Sequence, residues 1–270
     1  MSGFAPKKGL SQNFLTDPKT ADKIVKSLEA TAGDAILEIG PGTGVLTQRL
    51  IKTGANIVGV DVDQRAIDHV KAQAWASSPL LTLTQADVLT LQLRNVFPRR
   101  DITAVGRKVI GNIPYSITSD ILFWLFEQRK DIERAVIMMQ REVAQRLVAE
   151  PRSKEYGVLS IASWFASETK ILFHVKPGSF FPKPAVTSSV VLFRFRREDP
   201  IDATMGDFMA FVRASFSQRR KVLSNSLRTY LQGDNRATAL VEGVDLGRTR
   251  AEELTPMQLF DVYRSIRNLS

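Results

Sequence analysis

Glu38-Ile39-Gly40-Pro41-Gly42-Thr43-Gly44 places three glycines at alternate positions, with a carboxylate two residues before the first. Such glycines let the backbone turn tightly and leave no side chain between the turn and a ligand. A dinucleotide would ask for G-x-G-x-x-G, whose last glycine lets the helix pack closely behind the pyrophosphate. Counted from Gly40, that last glycine falls on Val45. S-adenosylmethionine (AdoMet) carries no phosphate and needs close backbone approach more than an anion site. Its amino acid end has an ammonium group that Glu38 can hold. A tight structural turn is the plainer account of the glycines alone.

Asn112-Ile113-Pro114-Tyr115 offers a second kind of chemistry. An adenine N6 amine is a poor nucleophile, because its lone pair is delocalised into the ring. To attack a sulfonium methyl it must pyramidalise, and two acceptors on its two N–H groups favour that shape. The Asn112 side-chain oxygen is one candidate and the Ile113 carbonyl the other. Pro114 fixes its own φ and biases Ile113 to an extended conformation, which aims that carbonyl. Tyr115 can stack on the base. No strong general base is then required, since the product ammonium acidifies as the methyl arrives. Catalysis of this kind is positioning plus a bond pattern suited to the transition state. Taken alone, N-x-P is also good turn chemistry.

Elements that would position these residues can be read from the pattern. Ile36 to Ile39 is a short buried strand, and a helix is expected from about Val45. Asn56 to Val60 reads as a second strand closed by Asp61, with Asp63 capping a helix that runs to about Trp75. Leu80 to Thr84, Lys108 to Gly111 and Ala135 to Met139 read as three more strands. Strands alternating with helices imply a parallel sheet of right-handed crossovers. The glycine turn, Asp61, Asp87 and Asn112 then each follow the carboxyl end of a strand, the edge where open sheets bind ligands. Asp61, with Val62 beside it, stands about twenty residues after the turn, where a carboxylate reaches ribose hydroxyls. A helix cap is its plainer role, although Asp63 is the better cap. Asp87 can accept an adenine amine, with Val88 supplying its N–H; otherwise it is a loop carboxylate. Gln140 to Glu150 reads as an amphipathic helix, and 151–157 as a basic loop. Lys170 to Val175 and Ser188 to Phe195 read as late strands. Phe180-Phe181-Pro182-Lys183-Pro184 between them is too proline-rich for a strand interior. No strand signal follows Phe195. Helices are expected around Phe208 to Phe216, Leu240 to Leu246 and Met257 to Ile266. The fold class is therefore α/β, a Rossmann-like AdoMet-type sheet over residues 1–196 with a small all-helical domain over 197–270.

The chain of 270 residues has a formal charge of +9 and a pI near 9.9, which favours a polyanionic partner. It has no cysteine, which excludes disulfides and thiolate metal sites, and its two histidines, His69 and His174, are far apart. No metal site is expected. No apolar run is long enough for a bilayer, and the first nine residues lack a signal-peptide core. A cytoplasmic protein without a membrane partner is expected.

Read together, Gln12-Asn13-Phe14-Leu15, the glycine turn, Asp87, Asn112 to Tyr115, Phe180-x-Pro182-x-Pro184-x-Val186-x-Ser188 and Phe216-x-Gln218-Arg219-Arg220-Lys221 resemble one family. It is the small-subunit ribosomal RNA adenine N6,N6-dimethyltransferases, in their bacterial, kasugamycin-sensitivity branch. The resemblance spans nearly the whole chain, with small departures at Ser11, where glycine is usual, and at Ile113. It implies AdoMet as cofactor and two methyls on each of two adjacent adenosines in a terminal hairpin loop. It also implies a role in late assembly, on an immature subunit, by a monomer. It makes Asn13 and Leu15 cofactor contacts and puts Phe180 by the target base. Arg219, Arg220 and Lys221, with Arg152 and Lys154, become phosphate contacts; an ordinary solvated face is the plainer account. The large-subunit enzymes of macrolide resistance share this logic and are one alternative. A non-catalytic assembly factor of the same fold is another. An NAD-linked dehydrogenase fails on Val45.

Overall fold

The computed structural model describes residues 12–97, 106–219, 221–231, 241 and 248–267. It divides into two compact units: residues 1–144 with 167–197, and residues 145–166 with 198–270.

The first unit is built on a seven-stranded sheet of order β4-β3-β2-β5-β6-β9-β7. β2 (Ala35–Ile39), β3 (Asn56–Asp61), β4 (Leu81–Gln85), β5 (Arg107–Asn112) and β6 (Arg134–Gln140) run parallel. β2 is buried at all five positions, and the inner strands read as continuous apolar runs because helices cover a parallel sheet on both faces. β7 (Ser167–Val175) and β9 (Ser188–Phe195), the two late strands whose direction the sequence left open, are antiparallel additions to it. No α-helix connects β7 to β9, and a parallel return needs a long crossover.

The chain lays β3 and β4 on one side of β2 and then places β5 on the other. That reversal opens a crevice outside the carboxyl ends of β2 and β5. Register brings the ends level: Ile39 faces Val60 on one side and Gly111 on the other. One core cluster lies beneath, with Leu15, Ile24, Leu28, Ile36, Leu50, Ile57, Ile110, Val136 and Phe180 among its members.

Five helices of the first unit follow in sequence order among the described residues. α1 is Pro18–Ser27, with Asp17 accepting from Lys19 N–H and Pro18 at its first turn. α2 is Thr47–Ile51, starting two residues later than the sequence suggests, and α3 is Gln64–Lys71, capped by Asp63. α4 is the short turn Leu93–Val96 and α5 is Thr118–Glu127, whose Ile121, Leu122, Trp124 and Leu125 are buried. The N-terminal arm, Gln12 to Leu15, and the proline-rich stretch after Ser179 pair with each other. β1 (Phe14–Leu15) runs antiparallel to β8 (Phe180–Phe181), with Phe14 opposite Phe181 and Leu15 opposite Phe180. The pairing stops before Pro182, so the proline rule holds for the remainder of that stretch.

α6 (Arg141–Leu147) begins in the first unit. The second unit is helical: α7 (Val158–Ala166), α8 (Met205–Ser215), α9 (Leu223–Leu227) and α10 (Pro256–Arg267). Phe208, Phe211, Phe260 and Tyr263 pack at its centre, and Phe165 of α7 lies 6.2 Å from Phe208. This packing draws residues 145–166 to the C-terminal helices, across the expected boundary at 196/197. The expected helix over 240–246 lies outside the described residues, Val241 apart. No helix among the described residues is long and apolar enough to cross a membrane.

Candidate active site

The crevice predicted by the strand order holds a cleft with four walls. The arm supplies Gln12 to Leu15, and the glycine turn supplies Glu38 and Gly40 to Thr43. The end of β3 adds Asp61 and Val62, and the end of β5 with the segment after it adds Asn112 to Ile117. Of the expected site residues, Asn13, Leu15, Glu38, Gly40, Gly42, Asp61, Val62, Asn112, Ile113, Pro114 and Tyr115 are thus brought together.

The three glycines have positive φ values of 67°, 56° and 79°, a region that side chains strain. Their surroundings separate their roles. A β-carbon at Gly42 would press on the Phe14 ring at 3.1 Å, so Gly42 lets the arm close over the turn. One at Gly44 would lie 2.6 Å from the Trp75 ring. Gly44 is not among the residues that line the cleft, and its bareness admits Trp75.

Glu38 is buried, and burial pushes its carboxyl up to about 7, with Thr47 beside it acting the other way and the Asp61 charge adding slightly. Its Oε2 has no hydrogen-bond partner among the described residues. Burial also raises the Asp61 carboxyl, while hydrogen bonds from the Asp63 and Gly42 peptides oppose the rise. The Asp63 N–H reaches Asp61 Oδ1 at 2.9 Å, which aims the carboxylate along the strand end. Asp63 itself is held down to about 2 by its bond with the Arg65 guanidinium. It caps α3, which frees Asp61 from that duty.

Asn112 Nδ2 donates to the Asn13 carbonyl at 2.8 Å. This bond fixes the amide and ties the arm to β5, leaving Oδ1 as the end for a ligand. Ile113 is buried, and its N–H donates to the Met138 carbonyl at 3.2 Å. Thr118, at the start of α5, donates its hydroxyl to the carbonyls of Pro114 and Tyr115 at 3.1 and 3.2 Å. The Tyr115 hydroxyl bonds Ser188 Oγ at 2.7 Å, and burial raises its pKa. The phenol is thereby pinned, and the ring stands as a wall of the cleft. Phe14 and Ser188 stand in the motifs that carry the resemblance, but neither they nor Thr118 are assigned a site role from sequence. Thr118 carries a local signal, a hydroxyl just past N-x-P-Y, whereas Ser188 lies on a distant strand.

Four expected residues stand outside the cleft. Asp87 is exposed and caps a short turn, accepting from Leu89 N–H at 3.0 Å, and Val88 is buried. They extend the strand-end row, since the Ala86 N–H donates to the Asp61 carbonyl at 3.1 Å. Phe180 is buried in the core against the arm strand, and strand alternation turns its neighbour Phe181 outward, 65% exposed. Gly44 is the fourth.

In the second unit, Arg152, Lys154 and Lys221 are exposed. Arg219 is committed internally: its Nε meets Glu252 Oε2 at 2.5 Å and its Nη2 donates to the Ser153 carbonyl at 3.1 Å. It ties the 151–157 loop to Glu252 while its side chain stays 40% exposed. The Arg152 N–H donates to the Glu252 carbonyl at 2.7 Å and adds to this tie. Arg220 lies outside the described residues.

Residues 3–268 match the family described as ribosomal RNA adenine dimethylase. A ribosomal RNA small subunit methyltransferase A from Chlorobium phaeobacteroides is 38% identical, over 98% of this chain and 93% of that protein. One from Geobacter sulfurreducens is 39% identical, over 94% and 92%. Among solved structures, a dimethyladenosine transferase from Plasmodium falciparum aligns with a TM-score of 0.80 at 24% identity, covering 94% of this chain and 98% of that one. The 23S rRNA methyltransferase ErmE aligns with a TM-score of 0.65 at 26% identity, covering 93% and 99%.

Proposed function

This chain belongs to the ribosomal RNA adenine dimethylase family, and we propose that it N6,N6-dimethylates adenosines of small-subunit ribosomal RNA. The observation that carries this reading is the Asn112 amide. Its nitrogen is held by Asn13, and its oxygen is left for the cleft opposite the glycine turn.

AdoMet fits the residues present, and when bound it supplies the electrophilic methyl. The unpartnered Glu38 oxygen suits its ammonium group, Asp61 its ribose hydroxyls, and Val62 with Leu15 its adenine or methionine stem. Asp87 and Val88 stand next along the edge, where a purine amine would find an acceptor and a donor. Asn112 Oδ1 and the Ile113 carbonyl accept from the target N6, Pro114 fixes their spacing, and Tyr115 stacks on the base. Phe180 supports the arm from behind Leu15. The base must leave its stack to enter. Arg152, Lys154 and Lys221 are available to phosphates. We further propose a monomeric protein acting in the cytoplasm on an immature small subunit, on two adjacent adenosines. The 38–39% identity to small-subunit enzymes favours this substrate over that of the ErmE type.

The test is transfer of labelled methyl from AdoMet to small subunits that lack the modification, beside protein-free large-subunit RNA. N6,N6-dimethyladenosine in the small-subunit RNA is expected. Label confined to large-subunit RNA would overturn the choice, and no label would overturn the activity.

A pH dependence follows from Glu38. An acid whose pKa is raised in the folded protein is neutral below that value and ionised above it, and only the ionised form attracts an ammonium. AdoMet affinity is therefore full above about pH 7 and weakens below it, approaching about tenfold per pH unit. Glu38→Gln binds weakly at all pH values and flattens the profile between pH 6 and 8. Equilibrium dialysis checks this, and a profile of unchanged slope in Glu38→Gln contradicts it.

A further inference from the structure

We propose that a recess beside Tyr115 holds the nucleotide next to the target adenosine. This rests on the methyltransferase reading and adds a determinant of substrate choice to it. Gln140, Arg141, Glu142, Val186 and Thr187 line a recess of about 220 Å³ in the first unit. None of these residues lines the cleft, yet the two are joined through a single side chain. Gln140 is the register partner of Ser188, whose hydroxyl holds the Tyr115 phenol at 2.7 Å. The Arg141 N–H donates to the Thr187 carbonyl at 3.0 Å, which ties the start of α6 to the stretch before β9. The recess therefore sits one residue beyond the ring that would stack on the target base.

Its chemistry suits a nucleotide. Val186 is 37% exposed and Phe181, on the same stretch, is 65% exposed, so apolar surface is open for a base to lie against. Gln140 and Glu142 present an amide and a carboxylate. These accept from an exocyclic amine, and an amide also pairs with both groups of an adenine edge. A carbonyl at the same place, as on uracil, would face carboxylate oxygen. Arg141 is exposed beside them and meets the phosphate without reading sequence. A side chain of this set thus reads the base adjacent to the one being modified, and adenine is the base it favours.

The experiment uses full-length protein, unmethylated small subunits, and matched subunits in which one of the two adjacent adenosines is replaced by uridine, with methylation read at the remaining adenosine alone on both substrates. For the wild type, the replacement lowers kcat/KM on the order of tenfold, the range of one paired base edge. Gln140→Ala raises KM for the normal subunit by a similar factor, leaves AdoMet affinity unchanged, and no longer separates the two substrates. Arg141→Ala raises KM equally on both substrates and flattens the salt dependence. A Gln140→Ala protein that still discriminates as the wild type does would overturn the proposal. So would a wild type that modifies both subunits equally well. Failure of the wild type to methylate any subunit would instead overturn the methyltransferase reading and this proposal together.

Discussion

Asn112→Ala should lower the rate of methyl transfer by about 10²–10³, the size seen when one preorganised polar group aimed at the reacting centre is removed. The amide has two tasks, and their magnitudes differ. In the proposed mechanism its oxygen accepts from the reacting amine, where the effect falls on the transition state. Its nitrogen holds Asn13 at 2.8 Å, an ordinary neutral hydrogen bond. Losing the second weakens the arm by about 0.5–1.5 kcal/mol, which is at most about tenfold in AdoMet affinity. RNA affinity should be unchanged. Single-turnover transfer of labelled methyl, with AdoMet binding measured beside it, separates the two. A rate loss matched by the loss in binding would mean that Asn112 only positions the arm. Wild-type incorporation would remove it from the mechanism altogether.

Lys108→Met should cost the fold about 3–5 kcal/mol, because it strands a buried carboxylate. Lys108 Nζ sits 2.8 Å from Asp34 Oδ2 and 2.7 Å from the Glu29 carbonyl, and both charged side chains are nearly inaccessible, at 6% and 2%. Asp34 keeps bonds from the Thr31 N–H and hydroxyl, at 2.7 and 3.1 Å, which supply no charge. Glu29 has φ of 51°, and the lost amine is what holds its carbonyl in that turn. For a domain of this size the midpoint of thermal unfolding should fall by about 10 °C. Adding Asp34→Asn should recover part of the loss. The site should be spared, since Asn112 is four residues further along β5, roughly 13 Å away. A midpoint within two degrees of wild type would show that the pair contributes little.

What could be read without coordinates follows a physical line. The strand-to-turn switch at Gly40, the cap at Asp63 and the N-x-P geometry before Tyr115 are local, carried by residues a few positions apart. The row of strand ends followed from alternation of strands and helices plus handedness, and it placed most of the cleft. What escaped depends on partners far apart in the chain. Phe14 pairs with Phe181, and nothing in either stretch announces the other. Ser188 fixes Tyr115, Glu252 engages Arg219, and Trp75 fills the space over Gly44. The burial of Glu38 is of the same kind, since the arm and the turn share one cleft only after folding. α7 was missed because its six buried residues leave little polar face to mark a helical period. Arg219 and Arg152 look alike as basic residues in sequence, yet among the described residues the Glu252 carboxylate engages the Arg219 side chain, a pairing set by where Glu252 arrives.

A crystal of the protein grown with S-adenosylhomocysteine tests the central claim most directly. The ligand's sulfur should lie between the turn at Gly40 to Gly42 and the Asn112 amide, with its ammonium at Glu38 and its ribose at Asp61. The amide oxygen should point to the space where a methyl would stand. A ligand bound elsewhere, or an Asn112 amide that turns its nitrogen to the sulfur, would contradict the account.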